Sequence, residues 1–331
     1  MKVLFIGGTG IISSACSKLA IEKGLDVTLL NRGQSIRPIP LGAKILQADI
    51  HDPHSVKQAM HGSQFDVVAD FVAFTAKDIE SRLDIFRGHT AQYIFISSAS
   101  AYQTPPVTLP VRESTPLANP VWQYSQNKIA CEERLIRAYR EENFPITIVR
   151  PSHTYDHTYL PIHGNWTVVD RMLRGEKLIV HGDGTSLWTL THNTDFARGF
   201  VGLFGNSHAI GEVFHITSDE WLTWNQIHEI IAQAVGTSAK IVHIPSDLIA
   251  AYDPGWGDSL LGDKTHSFIL DNSKIKQLVP EFKCVIPFSQ GVNEIIAWYR
   301  ADPARQLVDP AFNALCDRII SAYSTAWPEQ G

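Results

Sequence analysis

Residues 2–13 read KVLFIGGTGIIS, and this stretch decides the fold. The first five residues form a short, mainly apolar run, which is typical of a strand buried on both faces of a parallel sheet. Two glycines end the run, and residues 11–23 then carry apolar side chains at helical spacing up to Gly24. A strand, a glycine turn and a helix in this order predict the first βα unit of a nucleotide-binding sheet.

The same alternation continues outward from this unit. Further buried strands are predicted at 26–30, 43–49, 66–74, 92–97 and 145–151, with helices near 54–61, 77–86 and 118–142. The pattern predicts an α/β fold: a Rossmann-like, doubly wound parallel sheet with a smaller C-terminal α/β substrate-binding region. We expect residues 1–155 to form the dinucleotide-binding domain, with segments near 185–217 returning to it, and residues 156–331 to form mainly the substrate-binding domain.

Composition narrows the functional class. The 331 residues are 44% apolar with a formal net charge of -6 and no run of Lys or Arg, so no nucleic-acid partner is expected. The four cysteines form no CxxC pair, which gives no reason to expect zinc or a disulfide framework. No apolar stretch approaches the ~20 residues of a membrane helix. We expect a cytoplasmic protein.

The turn after the first strand indicates what the sheet binds. Gly7 and Gly10 match the first two glycines of GxxGxxG, and Ser13 stands in place of the third. Glycine lets the backbone turn sharply beside a pyrophosphate, and the following helix directs its first N–H groups at that anion. The turn therefore predicts an NAD(P) cofactor.

The end of the second strand bears on the choice between NAD and NADP. The acidic residue that usually binds the ribose 2′-OH is absent, and Asn31 and Arg32 stand there instead. Arg32, with Arg37 nearby, suits a 2′-phosphate and slightly favours NADP. Asn31 could still bind a ribose hydroxyl, and Arg32 could instead stack on the adenine. Asp49, after the third strand, is placed to meet the adenine edge.

Three residues farther along form a redox constellation. Ser98 ends the fifth strand, Tyr124 follows 26 positions later, and Lys128 lies one helical turn beyond it. A phenol with a pKa near 10 works as an acid or base near neutral pH only if its anion is stabilised, and a lysine one turn away supplies the charge. A serine hydroxyl can orient the reacting oxygen.

These motifs resemble the extended short-chain dehydrogenase/reductase superfamily, in its NAD-dependent epimerase/dehydratase branch. GGTGIIS resembles the GGTGFIG turn, SSASAY the SSxxVY segment, YSQNK the YxxxK motif, and VRPSHTYD the RPxxxYG motif. The resemblance covers roughly the first 200 residues. It implies Ser98, Tyr124 and Lys128 as catalytic residues and a homodimer formed through the YxxxK helix. It also implies that the cofactor is bound by Gly7, Thr9, Gly10, Ile11, Ile12, Asn31, Arg32, Asp49, Ile50, Ala73, Lys128 and Pro151.

Departures from the family pattern concern the substrate. The family's GDGxxxRxxxxVxD segment places an arginine on a substrate phosphate, and Trp188 stands at that position here. Its ring can stack on a sugar or another flat surface, so a substrate without a diphosphate is favoured. Ala99 and Ser100 replace the Asp-Glu pair of sugar 4,6-dehydratases, which argues against that chemistry.

Histidines follow the RP motif where the family builds its substrate pocket. We assign Ser100, His153, Trp188 and His192 to substrate binding and expect no metal, because prolines make the spacing of His153 and His157 a loop rather than a helix. His163 is a further candidate for the pocket. Residues 252–264 are expected to be a glycine-rich loop with an exposed Trp256, a candidate lid.

Three functions remain in view. The first is an NAD(P)-dependent epimerase or oxidoreductase acting on a sugar, a sugar nucleotide or a sugar-like polyol. The second is a dehydrogenase or reductase of a non-sugar carbonyl or alcohol. The third is a non-catalytic nucleotide sensor or RNA-binding protein on the same scaffold, against which the intact Ser98, Tyr124 and Lys128 set and the acidic charge balance weigh.

Overall fold

The computed structural model describes residues 1–35 and 37–326. The strands are β1 (Lys2–Ile6), β2 (Asp26–Asn31), β3 (Lys44–Gln47), β4 (Phe65–Asp70), β5 (Thr90–Ile96), β6 (Ile146–Pro151), β7 (His153–Tyr155), β8 (Lys177–His181), β9 (Leu187–Trp188), β10 (Leu190–His192), β11 (Val213–Ile216), β12 (Leu222–Thr223) and β13 (Lys240–Ile244). The α-helices are α1 (Ser13–Glu22), α2 (Pro53–Met60), α3 (Ala76–Phe86), α4 (Gln123–Glu142), α5 (Trp166–Leu173), α6 (Asn193–Gly202), α7 (Trp224–Val235), α8 (Ser246–Tyr252), α9 (Pro254–Ser259), α10 (Ser273–Leu278), α11 (Phe288–Arg300) and α12 (Pro310–Thr325). Shorter turns of helix lie at Ala99–Ala101, Ser207–Ala209 and Pro303–Arg305, and a π-helix spans Leu260–Lys264.

Seven strands form the central sheet in the order β11-β6-β5-β4-β1-β2-β3. Every neighbouring pair is parallel. The strand order reverses between β1 and β4, which is where open parallel sheets bind ligands at their carboxyl ends. The predicted Rossmann-like doubly wound fold is confirmed.

Helices cover both faces of this sheet. One face packs a core that includes residues of α1 and α6, such as Cys16 and Phe200. The other packs residues of α2, α3 and α4, such as Val56, Leu83 and Leu135. Burying each strand on both faces accounts for the apolar runs in the sequence.

The C-terminal region adds three two-stranded ladders, β7 with β10, β8 with β13, and β9 with β12. Its core is separate and includes residues of α5, α7, α11 and α12. Later segments also return to the Rossmann sheet: β11 pairs with β6, and Ile275, Val279 and Phe282 pack beside α6. Those last three residues lie within the range 156–331 that was predicted to be mainly substrate-binding. The division near residue 155 stays a prediction.

Two local expectations were wrong. The fourth helix begins at Gln123, not near 118, because Pro120 lies in the approach and the Asn119 side chain accepts hydrogen bonds from the backbone N–H groups of residues 121 and 122. Residues 252–264 are largely helical, because Asp253 caps α9 and Pro254 occupies its first turn. Trp256 is buried rather than exposed.

Within the described ranges, no helix is long and apolar enough to cross a membrane.

Candidate active site

The glycine turn after β1 has the shape that a dinucleotide requires. Gly7 has φ +79°, and a Cβ there would lie 2.5 Å from Val72 Cγ1. The Ser13 hydroxyl accepts a hydrogen bond from Gly10 N at 2.8 Å and donates one to the Gly7 carbonyl at 2.5 Å. Ser13 therefore fixes the turn where the family pattern has a third glycine.

A cavity of about 380 Å³ continues from this turn to the end of β2. Gly7, Asn31, Arg32 and Ile50 are among the residues that line it. Because this cavity adjoins a glycine turn at the carboxyl edge of the sheet, its residues fit the adenosine half of a nicotinamide dinucleotide. The Asp49 carboxylate instead accepts a hydrogen bond from His51 N, and Asp49 is not among the residues that line the cavity.

Arg37 does not join Arg32 in this cavity. Its guanidinium donates hydrogen bonds of 2.5 Å to Asp156 Oδ2 and Thr158 Oγ1, across to the segment after β7. The side chain of Asp156 is almost fully buried, so this ion pair engages Arg37. Arg32 is the exposed arginine left for a 2′-phosphate.

The turn after β4 links the cofactor cleft to the lysine. Asp70 Oδ1 accepts hydrogen bonds from the backbone N–H groups of Val72 and Ala73, and its Oδ2 accepts from Arg82 and Tyr93. Lys128 Nζ then donates to the carbonyls of Ala73 at 2.9 Å and Ile96 at 2.8 Å. Asp70 was not recognised from the sequence, because a lone aspartate at a strand end carries no motif.

Ser98 and Tyr124 meet at the carboxyl end of β5. Burial raises the pKa of the Tyr124 phenol, the Ser98 hydrogen bond lowers it, and the negative charge of Asp263 raises it further. Burial lowers the pKa of Lys128 to about 8, and its Nζ lies 5.9 Å from the centre of the Tyr124 ring. The phenol is therefore in its proton-donating form at neutral pH.

A hydroxyl chain holds Ser98 in place. The Ser98 and Ser100 side-chain oxygens lie 2.8 Å apart, and Ser125, one residue after Tyr124, donates to Ser100 at 2.8 Å. Ser100 thus bonds to protein hydroxyls at one of the positions where the dehydratase pattern has an acid. The chain couples the turn after β5 to α4.

A buried ion pair fixes α4 against the sheet. Glu132 on α4 accepts from both Arg150 Nε at 2.9 Å and Arg150 Nη2 at 2.5 Å, and also from Ser97 at 2.5 Å. Arg150 donates a further hydrogen bond to Tyr102, whose hydroxyl contacts His215. Every charged atom of the pair is thereby hydrogen-bonded. The pair holds α4 against β6 and so fixes the position of Tyr124 and Lys128 relative to the sheet.

A second cavity, of about 470 Å³, opens at Ser98 and Tyr124. Pro151, Ser100, His153 and Trp188, which were assigned from the sequence, are among its lining residues. Trp188 Nε1 lies 3.4 Å from His153 Nδ1. The structure therefore brings two of the three predicted catalytic side chains, Ser98 and Tyr124, and three of the four predicted substrate-binding residues to one space, and Lys128 does not line it.

His192 is the predicted substrate-binding residue that does not line this cavity. Its ring caps α6 through Thr194 and contacts Glu294 Oε2 at 3.2 Å. Both ring nitrogens of His192 therefore already have protein partners. His163, by contrast, lines the cavity and stacks on Trp256 at 4.5 Å between ring centres.

Asp263 and Lys264, which line the cavity, were not recognised from the sequence because the π-helix that carries them was predicted to be a loop. Asp263 is 8% exposed, and among the described residues its side chain hydrogen-bonds to Lys264 Nζ alone, at 3.4 Å. Asn119 donates hydrogen bonds to the carbonyls of Gly262 and Ser100, which ties this helix to the turn after Ser98. Irregular helical turns of this kind are frequent at functional sites.

Trp224 was also not recognised from the sequence. It is 3% exposed, lines the cavity and packs against Trp188 with ring centres 5.6 Å apart. Its Nε1 has no hydrogen-bond partner among the residues that the structure describes. The first residue of α7 gives no sequence signal for a ligand.

In the described ranges, no group of three or more His, Cys, Asp or Glu side chains is positioned to hold a metal ion.

The fold and this site define a class of nicotinamide-dinucleotide-binding proteins of the short-chain dehydrogenase/reductase type. Residues 3–217 match the model of the NAD dependent epimerase/dehydratase family. The chain belongs to this family. The resemblance and the prediction of an SDR-type enzyme class are thereby confirmed.

Relatives within the family are diverse. The chain is 29% identical over 257 residues to the chloroplast stem-loop binding protein of 41 kDa b from Arabidopsis thaliana; the match covers 73% of the chain and 65% of that protein. It is 25% identical over 328 residues to UDP-N-acetyl-alpha-D-glucosaminuronate decarboxylase from Bacillus cytotoxicus, covering 90% and 98%. It is similar in fold to UDP-glucose 4-epimerase from Bifidobacterium longum, solved with NAD+ and UDP, with a TM-score of 0.72, 20% identity and coverage of 92% and 99%.

Proposed function

We propose that the protein interconverts an alcohol and a ketone on a sugar or sugar-like polyol with NAD(P), as an epimerase or a net oxidoreductase. The observation that carries the proposal is the joint position of Ser98 and Tyr124. They line the same 470 Å³ cavity, and Lys128 lies one turn beyond Tyr124 along α4. The nicotinamide, when bound, supplies the hydride acceptor or donor.

Each of the three side chains has a separate task. Ser98 donates a hydrogen bond to the reacting oxygen and fixes its direction. In oxidation the Tyr124 oxygen takes the hydroxyl proton while the carbinol hydride leaves carbon; in reduction the phenol returns that proton to the carbonyl oxygen. The positive charge of Lys128 favours the phenolate, offsetting the burial that raises the Tyr124 pKa.

The proposal does not include 4,6-dehydration. Elimination of water requires an additional acid and base beside the ketone, and the two residues after Ser98 are Ala99 and Ser100. Ser100 is committed to Ser98 and Ser125 through hydroxyl hydrogen bonds.

For the cofactor, we propose a slight preference for NADP. Arg32 is exposed and lines the 380 Å³ cavity, and none of the described residues in that lining is acidic. A guanidinium there can pair with a 2′-phosphate. The UDP-glucose 4-epimerase from Bifidobacterium longum was solved with NAD+, so the preference requires direct titration with both dinucleotides.

Homodimerisation through α4 also stays a proposal, to be tested by light scattering of the purified protein. The same holds for the cytoplasmic location.

Substitution of Tyr124 tests the proposal. Tyr124→Phe removes the acid-base oxygen and keeps the ring, so turnover should fall about 10²- to 10⁴-fold. Dinucleotide binding, measured by calorimetry, should be nearly unchanged. Tyr159→Phe is the matched control, because Tyr159 lines the same cavity but is not part of the triad. Full activity in Tyr124→Phe would refute the assignment.

A second function is favoured by one observation, the 29% identity to a chloroplast stem-loop binding protein. RNA binding would require cations along a phosphate path, and the chain has a net charge of -6. Filter binding of a stem-loop RNA across a salt series separates the two: salt-sensitive retention together with an inactive Ser98, Tyr124 and Lys128 set would support RNA binding.

A further inference from the structure

The charges lining the 470 Å³ cavity sum to zero. Asp263 and Lys264 are the acidic and basic residues among the described residues that line it, apart from histidines, and they lie 3.4 Å apart. No arginine is present in this lining. A nucleoside diphosphate carries two or more negative charges, and burying them without cations costs several kcal/mol per ion.

The histidines of the cavity do not add positive charge at neutral pH. Burial lowers the pKa of His153 to about 3 and that of His181 to about 4, and it also lowers the pKa of His228. His181 Nε2 contacts the Lys264 carbonyl at 3.0 Å and His228 Nδ1 contacts the Trp224 carbonyl at 2.8 Å. Both nitrogens therefore carry a proton in the neutral ring, which leaves the other nitrogen as an acceptor.

The buried arginines of the chain are committed elsewhere. Arg82 pairs with Asp70, Arg150 with Glu132 and Arg171 with Asp317. None of the three lines the cavity. A phosphate entering this space would find Lys264 alone, which already faces Asp263.

Aromatic faces and neutral polar atoms fill the same lining. Trp188 packs against Trp224, and Trp256 packs against His163 and Phe312. The lining also includes Trp224, whose Nε1 has no hydrogen-bond partner among the described residues, and Asp263, whose carboxyl group has one hydrogen bond, to Lys264. A buried donor without an acceptor costs about 1–3 kcal/mol, which a ligand oxygen would recover.

We propose that this cavity binds an uncharged sugar, bearing neither phosphate nor nucleotide, whose ring lies against the tryptophans and whose hydroxyls bond to Trp224 Nε1 and Asp263. This inference rests on the proposed function, since the sugar carbinol is the group oxidised at Tyr124. Stacking of C–H faces on indole and hydrogen bonds to neutral groups are the two interactions that suit a polyol.

The experiment compares matched substrates on the protein saturated with NAD and, separately, with NADP. The series consists of uncharged hexoses and their methyl glycosides, each beside its 1-phosphate and its UDP derivative. Formation of reduced cofactor or of the epimeric sugar gives kcat/KM, and calorimetry gives affinity. We expect the best uncharged member to exceed its UDP derivative about 100-fold or more in kcat/KM, since two buried charges are then avoided.

The outcomes separate the two proposals. Preference for a UDP or phosphate derivative overturns the uncharged-sugar inference and leaves the hydride chemistry standing. Absence of binding and turnover for every uncharged member also overturns the inference. Loss of the proposed function itself would appear as failure to bind either dinucleotide, or as hydride transfer that persists in Tyr124→Phe.

A variant tests the role of the unpartnered indole nitrogen. Trp224→Phe keeps an aromatic ring and removes the donor, so KM for the best sugar should rise about 3- to 10-fold with kcat nearly unchanged. Trp298→Phe is the control, since Trp298 packs at the edge of the same core but does not line the cavity. An unchanged KM in Trp224→Phe would remove this nitrogen from sugar binding.

Discussion

Two ion pairs of this protein, each with a buried acid, differ in how completely they are hydrogen-bonded. Glu132 and Arg150, between α4 and β6, form two mutual hydrogen bonds and add Ser97 and Tyr102. Asp263 and Lys264, in the cavity wall, share one contact of 3.4 Å. The side chains of both acids are at most 11% exposed, so solvent does not explain the difference.

The difference in hydrogen bonding indicates that one pair stabilises the fold and the other is available to bind a substrate. Breaking a saturated buried pair leaves an unpaired charge, whereas a loosely bonded carboxyl group retains free lone pairs for a ligand. Burial raises the pKa of Asp263, which means that the folded protein carries its charge at a cost to stability. We therefore expect one carboxylate to serve stability and the other to serve the substrate, and matched amide substitutions test this.

The largest effect is expected at the saturated pair. Glu132→Gln removes the charge that faces Arg150 and should lower the free energy of unfolding by about 3–5 kcal/mol. Urea denaturation followed by circular dichroism measures the loss. If the variant does not fold, Glu132→Gln combined with Arg150→Met should recover part of it, because no charge is then left unpaired. A single variant as stable as the wild type would contradict the structural role.

A smaller, opposite effect is expected in the cavity. Asp263→Asn should lower kcat/KM for the best sugar about 10-fold, because an acceptor for a sugar hydroxyl is lost. Its stability should not fall. Because the folded pKa of Asp263 lies above the unfolded value, the stability difference should favour the variant as pH rises through the folded pKa and vanish at lower pH. Thermal melts across pH measure this, and a clear loss of stability at neutral pH would make Asp263 a structural residue.

The smallest effect is expected where a charge is exposed. Arg32, which has no ion pair among the described residues, should contribute only when a 2′-phosphate is bound. Arg32→Ala should weaken NADP binding several-fold, up to about 10-fold at low salt, and leave NAD nearly unchanged. Titration with both dinucleotides gives the two dissociation constants. Equal weakening of both would mean that Arg32 stacks on the adenine.

The central sheet and the catalytic residues could be predicted from the sequence because the patterns that indicate them are local. The apolar run of β1, the glycines at 7 and 10, and the spacing of Tyr124 and Lys128 each report a feature within one turn or one strand. Ser98 could be identified as a catalytic candidate because it stands at the end of a predicted strand. The seven-strand parallel sheet then brought these residues to one edge.

The cavity wall could not be predicted because its residues come together only through tertiary packing. Trp224 is the first residue of α7, which directly follows β12, and β12 pairs with β9. Asp263 belongs to a π-helix that Asn119, 143 residues before Gly262 in the sequence, holds by a hydrogen bond. The glycines at 255, 257 and 262 indicated a loop, yet Gly257 allows close packing against Ala250 and Gly262 allows it against Trp122. Arg37 was predicted to contact the cofactor because it is close to Arg32 in the sequence. In the folded protein it instead pairs with Asp156, which is far away in the sequence.

Direct observation of hydride transfer is the most decisive measurement. The protein is mixed with oxidised dinucleotide and a sugar deuterated at its carbinol carbons, and both the nicotinamide and the sugar are analysed after a single turnover, with Tyr124→Phe in parallel. In the wild type the account predicts either deuterium in the reduced nicotinamide, for a net oxidoreductase, or inversion at a carbinol carbon that keeps its deuterium, for an epimerase, and it predicts neither above background in the variant. Equal labelling or inversion in both proteins, or neither in the wild type across the uncharged and UDP-linked series, would contradict it.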